Sequence, residues 1–256
     1  MASPAERQVS WGSVGYVTRH SPEKSDGNQD CIAVVECGAD ALVLIVADGV
    51  GGEAFGDKAS ALAVDAVVQA LTAATGTEDL RPAILDGIEH ANRRVLELGT
   101  GSATTLAIAE LHPGSIRGYH VGDSMTLVFG SRGLLKWRSV AHSPVGYAVE
   151  SGLMEEAEAM FHEDRHLVSN LVGTEEMHIE VGPPFALAPR DTVVVASDGL
   201  FDNLHLDEIL LLGRRGTALH RVTQLADLAT QRMNIEAAGL PSKPDDLSIL
   251  QFVPGV

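Results

Sequence analysis

Cysteine is almost missing from this sequence: Cys31 and Cys37 are the only two, too few and too close together for a disulfide framework. Neither thiol suits a cysteine-based phosphate loop either, because such a loop needs a framing Arg and none follows within ten residues. Positive charge is scarce. Lys plus Arg number 18 against 35 Asp plus Glu, a formal net charge of −17. Such a surface repels phosphate backbones and anionic headgroups, so no nucleic acid and no membrane is expected as a partner. Long hydrophobic runs are absent, the longest lying near 41–47, against the roughly 20 residues a bilayer span needs. The opening residues lack the basic-then-apolar layout of a signal peptide, so a cytoplasmic monomer is expected. There is no Pro/Gly/Ser-rich linker, low-complexity tract or fixed-period repeat, and a single domain over 1–256 is the expectation.

What is present is apolar patterning. The runs 31–36 and 41–47 flank a Gly-Ala-Asp turn and predict a hairpin. Further strands are predicted at 104–111, 115–121 and 125–130, and another pair at 192–196 and 247–253. Apolar residues at 59, 62, 63, 66, 67, 70 and 71 lie on one helical face. A second helix is predicted from near Asp79 to Gly99, and a third through Leu219 to Met233, ending before Gly239. Strands thus come in blocks with a helix pair between them, which favours an α+β layering of antiparallel sheets flanked by helices. The stretch 139–176 carries His142, His162 and His166 but no clear strand, and reads as a lid or recognition loop.

Acids cluster at strand ends. Asp48 ends the run Leu42 to Ala47 and precedes Gly49, Val50, Gly51 and Gly52; Asp198 ends Val193 to Ser197 and precedes Gly199. An ionised carboxylate at the end of a buried strand is costly unless paired or bound to metal, and neighbouring glycines let backbone carbonyls approach what it binds. Asp245 and Asp246 enter the run 247–253, Asp30 precedes the run 31–36, and Asp123 sits between two strands. Convergence of these acids on one rim would give hard oxygen ligands suited to Mg²⁺ or Mn²⁺ rather than zinc.

Together these segments carry a resemblance. Asn28-Gln29-Asp30, Asp48-Gly49-Val50-Gly51-Gly52 with Gly56 and Ala59-Ser60, and Thr104-Thr105-Leu106 come first. Gly122-Asp123-Ser124, His142-Ser143, the stretch 165–173, Ser197-Asp198-Gly199-Leu200-Phe201-Asp202 and Asp245-Asp246-Leu247 follow. In that order the chain resembles the metal-dependent protein phosphatases, the type 2C serine/threonine phosphatases, especially their compact bacterial members. The resemblance implies a central antiparallel β-sandwich with paired α-helices on both outer faces, and 139–176 as the variable flap. It implies a phosphoprotein substrate and a water bridging two divalent metals, Mn²⁺ or Mg²⁺, that hydrolyses phosphoserine and phosphothreonine. Asp48 would bridge both metals with the Gly49 carbonyl on the second. Asp198 and Asp245 would hold the first, Asp30 would order bound waters, and Asp123 with Asp198 would supply a possible third position.

Three positions depart from the family pattern. Val50 stands where many relatives have a His. Ser25 takes the place of a phosphate-holding basic residue, for which Lys24 is the candidate and Arg19 the alternative. Asp246 replaces an Asn, leaving Asp245, chosen by its alignment with Leu247-Ser248-Ile249, against Asp246 as the ligand. Two other readings compete. His162-Glu163-Asp164-Arg165-His166 has zinc-peptidase spacing, though its variable positions are charged. A noncatalytic metal- or partner-binding regulator with the same fold is the second. Trp11 and Trp137 are read as packing residues.

Overall fold

Two antiparallel sheets stacked face to face, each backed by helices, explain the blockwise patterning. The computed structural model describes residues 3–24, 27–50, 52–74 and 79–255, so Ser25 and Gly51 lie outside the described residues. The chain begins β1 (Ala5–Val9), β2 (Gly12–Arg19), β3 (Asp30–Glu36), β4 (Leu42–Val50), α1 (Gly52–Ala73) and α2 (Arg81–Leu96). It continues β5 (Ala103–Thr104), β6 (Leu106–His112), β7 (Ser115–Val121), β8 (Met125–Gly130), β9 (Leu135–Arg138), α3 (Pro144–Glu150) and α4 (Glu156–Ala159). A 3-10 turn at Glu163–His166 leads to β10 (Glu180–Val181), β11 (Phe185–Ala186), β12 (Asp191–Ala196), α5 (Asp198–Phe201), α6 (Leu206–Leu212), α7 (Ala218–Asn234) and β13 (Leu247–Pro254).

One sheet has the order β1-β2-β13-β12-β8-β9 and the other β10-β7-β6-β4-β3, with β11 also on β7 and β5 on β4. The predicted hairpin is β3–β4, and the predicted pair at the end of the chain is β12–β13, both antiparallel. Strand β4 is apolar at almost every position because both its faces are covered. Leu42, Leu44 and Val46 point between the sheets against Val193, Val195, Leu250 and Phe252. Val43, Ile45 and Ala47 point outward onto α1 and α2, against Ala63, Val67, Ile84 and Ile88. On the other outer face Val194, Ala196 and Ile249 pack on α7 and α6 through Val222, Leu225, Ala226 and Ile209. The three clusters are thus the sandwich interior and its two helical layers, an α+β architecture.

The predicted helices match α1, α2 and α7. Strands β1, β2, β9, β10 and β11 and helices α3 to α6 were not predicted, α3 and α4 lying within the stretch 139–176 read as a loop. Trp11 meets Phe252 edge to face at 4.7 Å between ring centroids, and Trp137 packs on Gly118, so both tryptophans serve packing. No helix among the described residues is long and apolar enough to cross a membrane.

Candidate active site

The period-two alternation of the strands builds the acidic rim. Because Leu42, Leu44 and Val46 face the sandwich interior, Asp48 continues the same face at the strand's end. Asp30 is its direct partner across the β3–β4 ladder. On β13, Leu250 and Phe252 face inward, so Ser248 does too, and Asp246 precedes it in the same phase. Val193 and Val195 of β12 lead in this way to Ser197, after which Asp198 opens α5.

At this end of the sandwich apolar contact gives way to a hydroxyl network. Thr105 Oγ1 lies 2.7 Å from Ser124 Oγ and accepts the Asp48 N–H at 3.0 Å. Ser197 Oγ donates to Asp30 Oδ2 at 2.8 Å and accepts the Ser248 N–H at 3.0 Å. Gly49 is closely packed: a Cβ there would lie 2.1 Å from the Gly56 carbonyl oxygen, so no side chain fits beside Asp48.

Crowding raises most of the acids. Burial, outweighing the Ser197 and Ser248 hydrogen bonds, lifts Asp30 to about 7. Burial, then the charges of Asp30, Asp198, Asp245 and Asp123, holds Asp48 well above the carboxylate range. Asp123 rises to about 8 through burial and the charges of Asp198 and Asp202. Asp202 rises to about 6 by burial, against the pull of Lys243. Asp245 is raised by burial and by Asp198. Asp198 alone is lowered: burial works against its charge, but the Lys243 ammonium wins. That ammonium also donates to Asp202 Oδ2 at 2.7 Å and stands 3.7 Å from Asp245 Oδ2.

The structure therefore brings Asp30, Asp48, Asp123, Asp198 and Asp245 to one place. It also separates the two candidates at 245 and 246. Asp246 is 1% exposed and accepts the backbone N–H groups of Ser21 at 2.7 Å and Gln29 at 2.9 Å, holding the chain around it. Asp245 is more open and shares its Oδ1 between Lys24 at 3.0 Å and the Asp246 N–H at 2.9 Å. Lys24 lies within the rim, bonded also to Asp246 Oδ2 at 3.0 Å. Arg19 does not: it is held by Asp227, Thr230 and the Ala226 carbonyl of α7, which removes it as a candidate.

Sequence reasoning missed Lys243 and assigned Asp202 no role; a lone base two residues before Asp245 was the available signal. It also gave His142 no task. His142 is fully buried, its Nδ1 accepting the Gly122 N–H at 3.1 Å and lying 2.9 Å from Asn170 Nδ2, while the Gly122 carbonyl accepts the His142 N–H at 3.0 Å. Gly122 has φ +100°, a conformation favoured by glycine, and His142 pins this turn one residue before Asp123.

A donor set of carboxylates suits a hard divalent cation, and two observations agree. Asp30 Oδ1 and Asp198 Oδ1 are buried with no hydrogen-bond partner, and burial together with neighbouring carboxylates disfavours the charged forms of Asp30 and Asp48. Among the described residues, His120, His142 and Glu180 are the trio with ligand atoms within 4.8 Å of one another. The acids of the rim instead have Lys24 and Lys243 among them. The two imidazoles of the trio are stacked at 4.3 Å, and stacked rings do not aim in-plane lone pairs at one point, so the trio serves as a hydrogen-bonded stack. The zinc-peptidase motif is also corrected. Glu163–His166 is a 3-10 turn capped by His162, not an α-helix setting two imidazoles on one face.

Solved structures share this architecture. The serine/threonine phosphatase of S. agalactiae superposes with a TM-score of 0.79 at 26% identity, covering 94% of this chain and 99% of that one. The catalytic domain of the serine threonine protein phosphatase PstP, solved with two manganese ions, has the same fold, with a TM-score of 0.73 at 21% identity, covering 98% of this chain and 100% of that one. The β-sandwich between two helical layers, with acids gathered at one end, is thus an architecture shared with solved serine/threonine phosphatases. The sequence carries the assignment further, since a putative protein phosphatase 2C-type of Streptococcus pyogenes is 29% identical over 224 residues, 84% of this chain and 90% of the relative. The chain belongs to the protein phosphatase 2C family, whose model matches residues 19–235. It is a serine/threonine phosphatase, a phosphoric monoester hydrolase, and not the noncatalytic regulator.

Proposed function

We propose that Asp48, Asp198 and Asp245, with the Gly49 carbonyl, hold two divalent cations, Mn²⁺ or Mg²⁺, and that the centre hydrolyses phosphoserine and phosphothreonine in proteins. The pair of buried, unpartnered oxygens on Asp30 and Asp198 carries this reading. Bound there, the cations would lower the pKa of a water and screen charge on the phosphoryl oxygens. Asp30 keeps one oxygen fixed by Ser197 and the other free, so Oδ1 can accept a hydrogen bond from a water in the rim and order it. Lys24, about a third exposed, presents positive charge to the substrate phosphate. Asp123, beside Asp198, marks the side of the rim where a third cation would bind were that side open to one.

The chain works as one domain and as a monomer in the cytoplasm, with 139–176 as a flap beside the rim; light scattering of the purified protein tests the monomer. Hydrolysis of p-nitrophenyl phosphate and of a phosphothreonine peptide with Mn²⁺, with Mg²⁺ and with chelator tests the centre. Turnover is expected with metal only. Equal turnover with chelator sinks the reading.

A further inference from the structure

The rim already contains cations of its own, and one is placed unlike an ordinary surface lysine. Lys243 is four-fifths shielded, with a side chain 18% exposed, and its ammonium is bonded to both Asp198 and Asp202. Asp245 Oδ2 stands 3.7 Å away. Asp123 lines the same cavity as Asp198 and Asp202. A buried ammonium is costly unless surrounded by acceptors, and this one lies where several carboxylates would otherwise face each other.

The backbone holds Lys243 in position. Its N–H donates to Asn203 Oδ1 at 2.8 Å, and its carbonyl accepts from Asn203 Nδ2 at 2.9 Å. Asn203 is fully buried, and its Nδ2 also donates to the Gly199 carbonyl at 3.0 Å. One asparagine thus clamps the lysine's backbone to the short helix that begins at Asp198 and is capped by Asp202. The stem thus starts from a fixed point beside the acids that its ammonium reaches.

We propose that Lys243 is a built-in cation that occupies the Asp123–Asp198–Asp202 side of the rim and excludes a further divalent ion from it, limiting the chain to two. This rests on the two-cation reading above. A fixed ammonium supplies single positive charge without exchanging with solvent, so this side of the centre is independent of free metal concentration. Removing the ammonium frees an oxygen on each of Asp198 and Asp202 beside Asp123, a hard oxygen set of the kind that takes Mn²⁺.

The test is metal stoichiometry. Wild type and Lys243→Gln, both stripped of metal and checked for fold by circular dichroism, are titrated with Mn²⁺ by calorimetry and by equilibrium dialysis. Two Mn²⁺ per wild-type chain and three per Lys243→Gln chain are expected, with a return to two in Lys243→Gln/Asp202→Asn. Three ions in the wild type overturn the proposal on their own, even if the variant does not fold. Two in both wild type and a folded variant overturn it as well, while leaving the two-cation reading intact. A wild-type chain that takes up none overturns the reading on which the proposal rests.

Discussion

Asp30 and Asp48 are direct partners across the β3–β4 ladder, so the pleat sends both carboxyls to the same side, between the sheets. Like charges directly opposite are destabilising, and this pair persists because one member or the other is protonated or a cation lies between them. The strain is confined to one end of the sandwich, where the neighbouring inward positions carry Ser and Thr hydroxyls.

Replacing Asp198 by Asn removes a buried, unpartnered oxygen facing the rim. Loss of a metal's outer partners costs about 10–100-fold, so loss of a direct ligand is expected to lower kcat with Mn²⁺ by more than about 100-fold. The fold is retained. Steady-state kinetics on p-nitrophenyl phosphate together with a melting curve checks both halves, and wild-type turnover in the variant defeats the assignment.

Without metal, stability falls as pH rises above 6.5. Asp30 and Asp123 titrate in the folded state at about 7 and about 8, above their ordinary values, so the native chain binds more protons than the unfolded one throughout that interval. Stability therefore declines with rising pH until both have ionised. Below 6.5 the buried His120, held down to about 4 by burial and by His142, contributes with the opposite sign. Melting temperatures in chelator should drop between pH 6.5 and 8.5, and the rise produced by Mn²⁺ should grow over the same range. A flat chelated profile contradicts the clustering of the acids.

Asp245 and Asp246 should behave as opposites. Asp246→Ala leaves the Ser21 and Gln29 N–H groups without their acceptor, costing about 1–3 kcal/mol for each. Asp245→Ala breaks no comparable pair of buried backbone bonds and should weaken Mn²⁺ binding with little change in metal-free stability. Urea unfolding in chelator and Mn²⁺ titration of each variant separate the two roles; equal stability losses would falsify this division.

His142→Ala removes the acceptor of the Gly122 N–H and the ring stacked on His120. A destabilisation of about 1–3 kcal/mol is expected from the unsatisfied backbone group, with a fall in activity as the turn bearing Asp123 loosens. Imidazole-free urea curves and kinetics on the same preparation measure it. Unchanged stability speaks against the pinning role.

The fold was legible where burial on both faces made strands almost uniformly apolar, as in β4 and β12. It was illegible in β2, where Gly12 and Gly15 blunt the strand pattern. The reason is contact: a Cβ at Gly15 would lie 2.4 Å from the Ala218 carbonyl, so α7 rests on bare backbone there. The acids of the rim could be read because each ends or begins an apolar run. Lys243 could not, since its importance lies in Asn203, forty residues away, which fixes its backbone. Likewise Arg19 and Lys24 are indistinguishable as charges in a sequence, and only the position of α7 draws one of them away.

Strand β13 follows every other described element along the chain, yet it lies in the middle of its sheet, between β2 and β12. Until it arrives, β1–β2 has no ladder to β12–β8–β9, and Asp245 has no neighbours to meet. Assembly and competence are thereby tied together: a chain in which β13 has not docked holds neither a closed sheet nor the charge that finishes the rim.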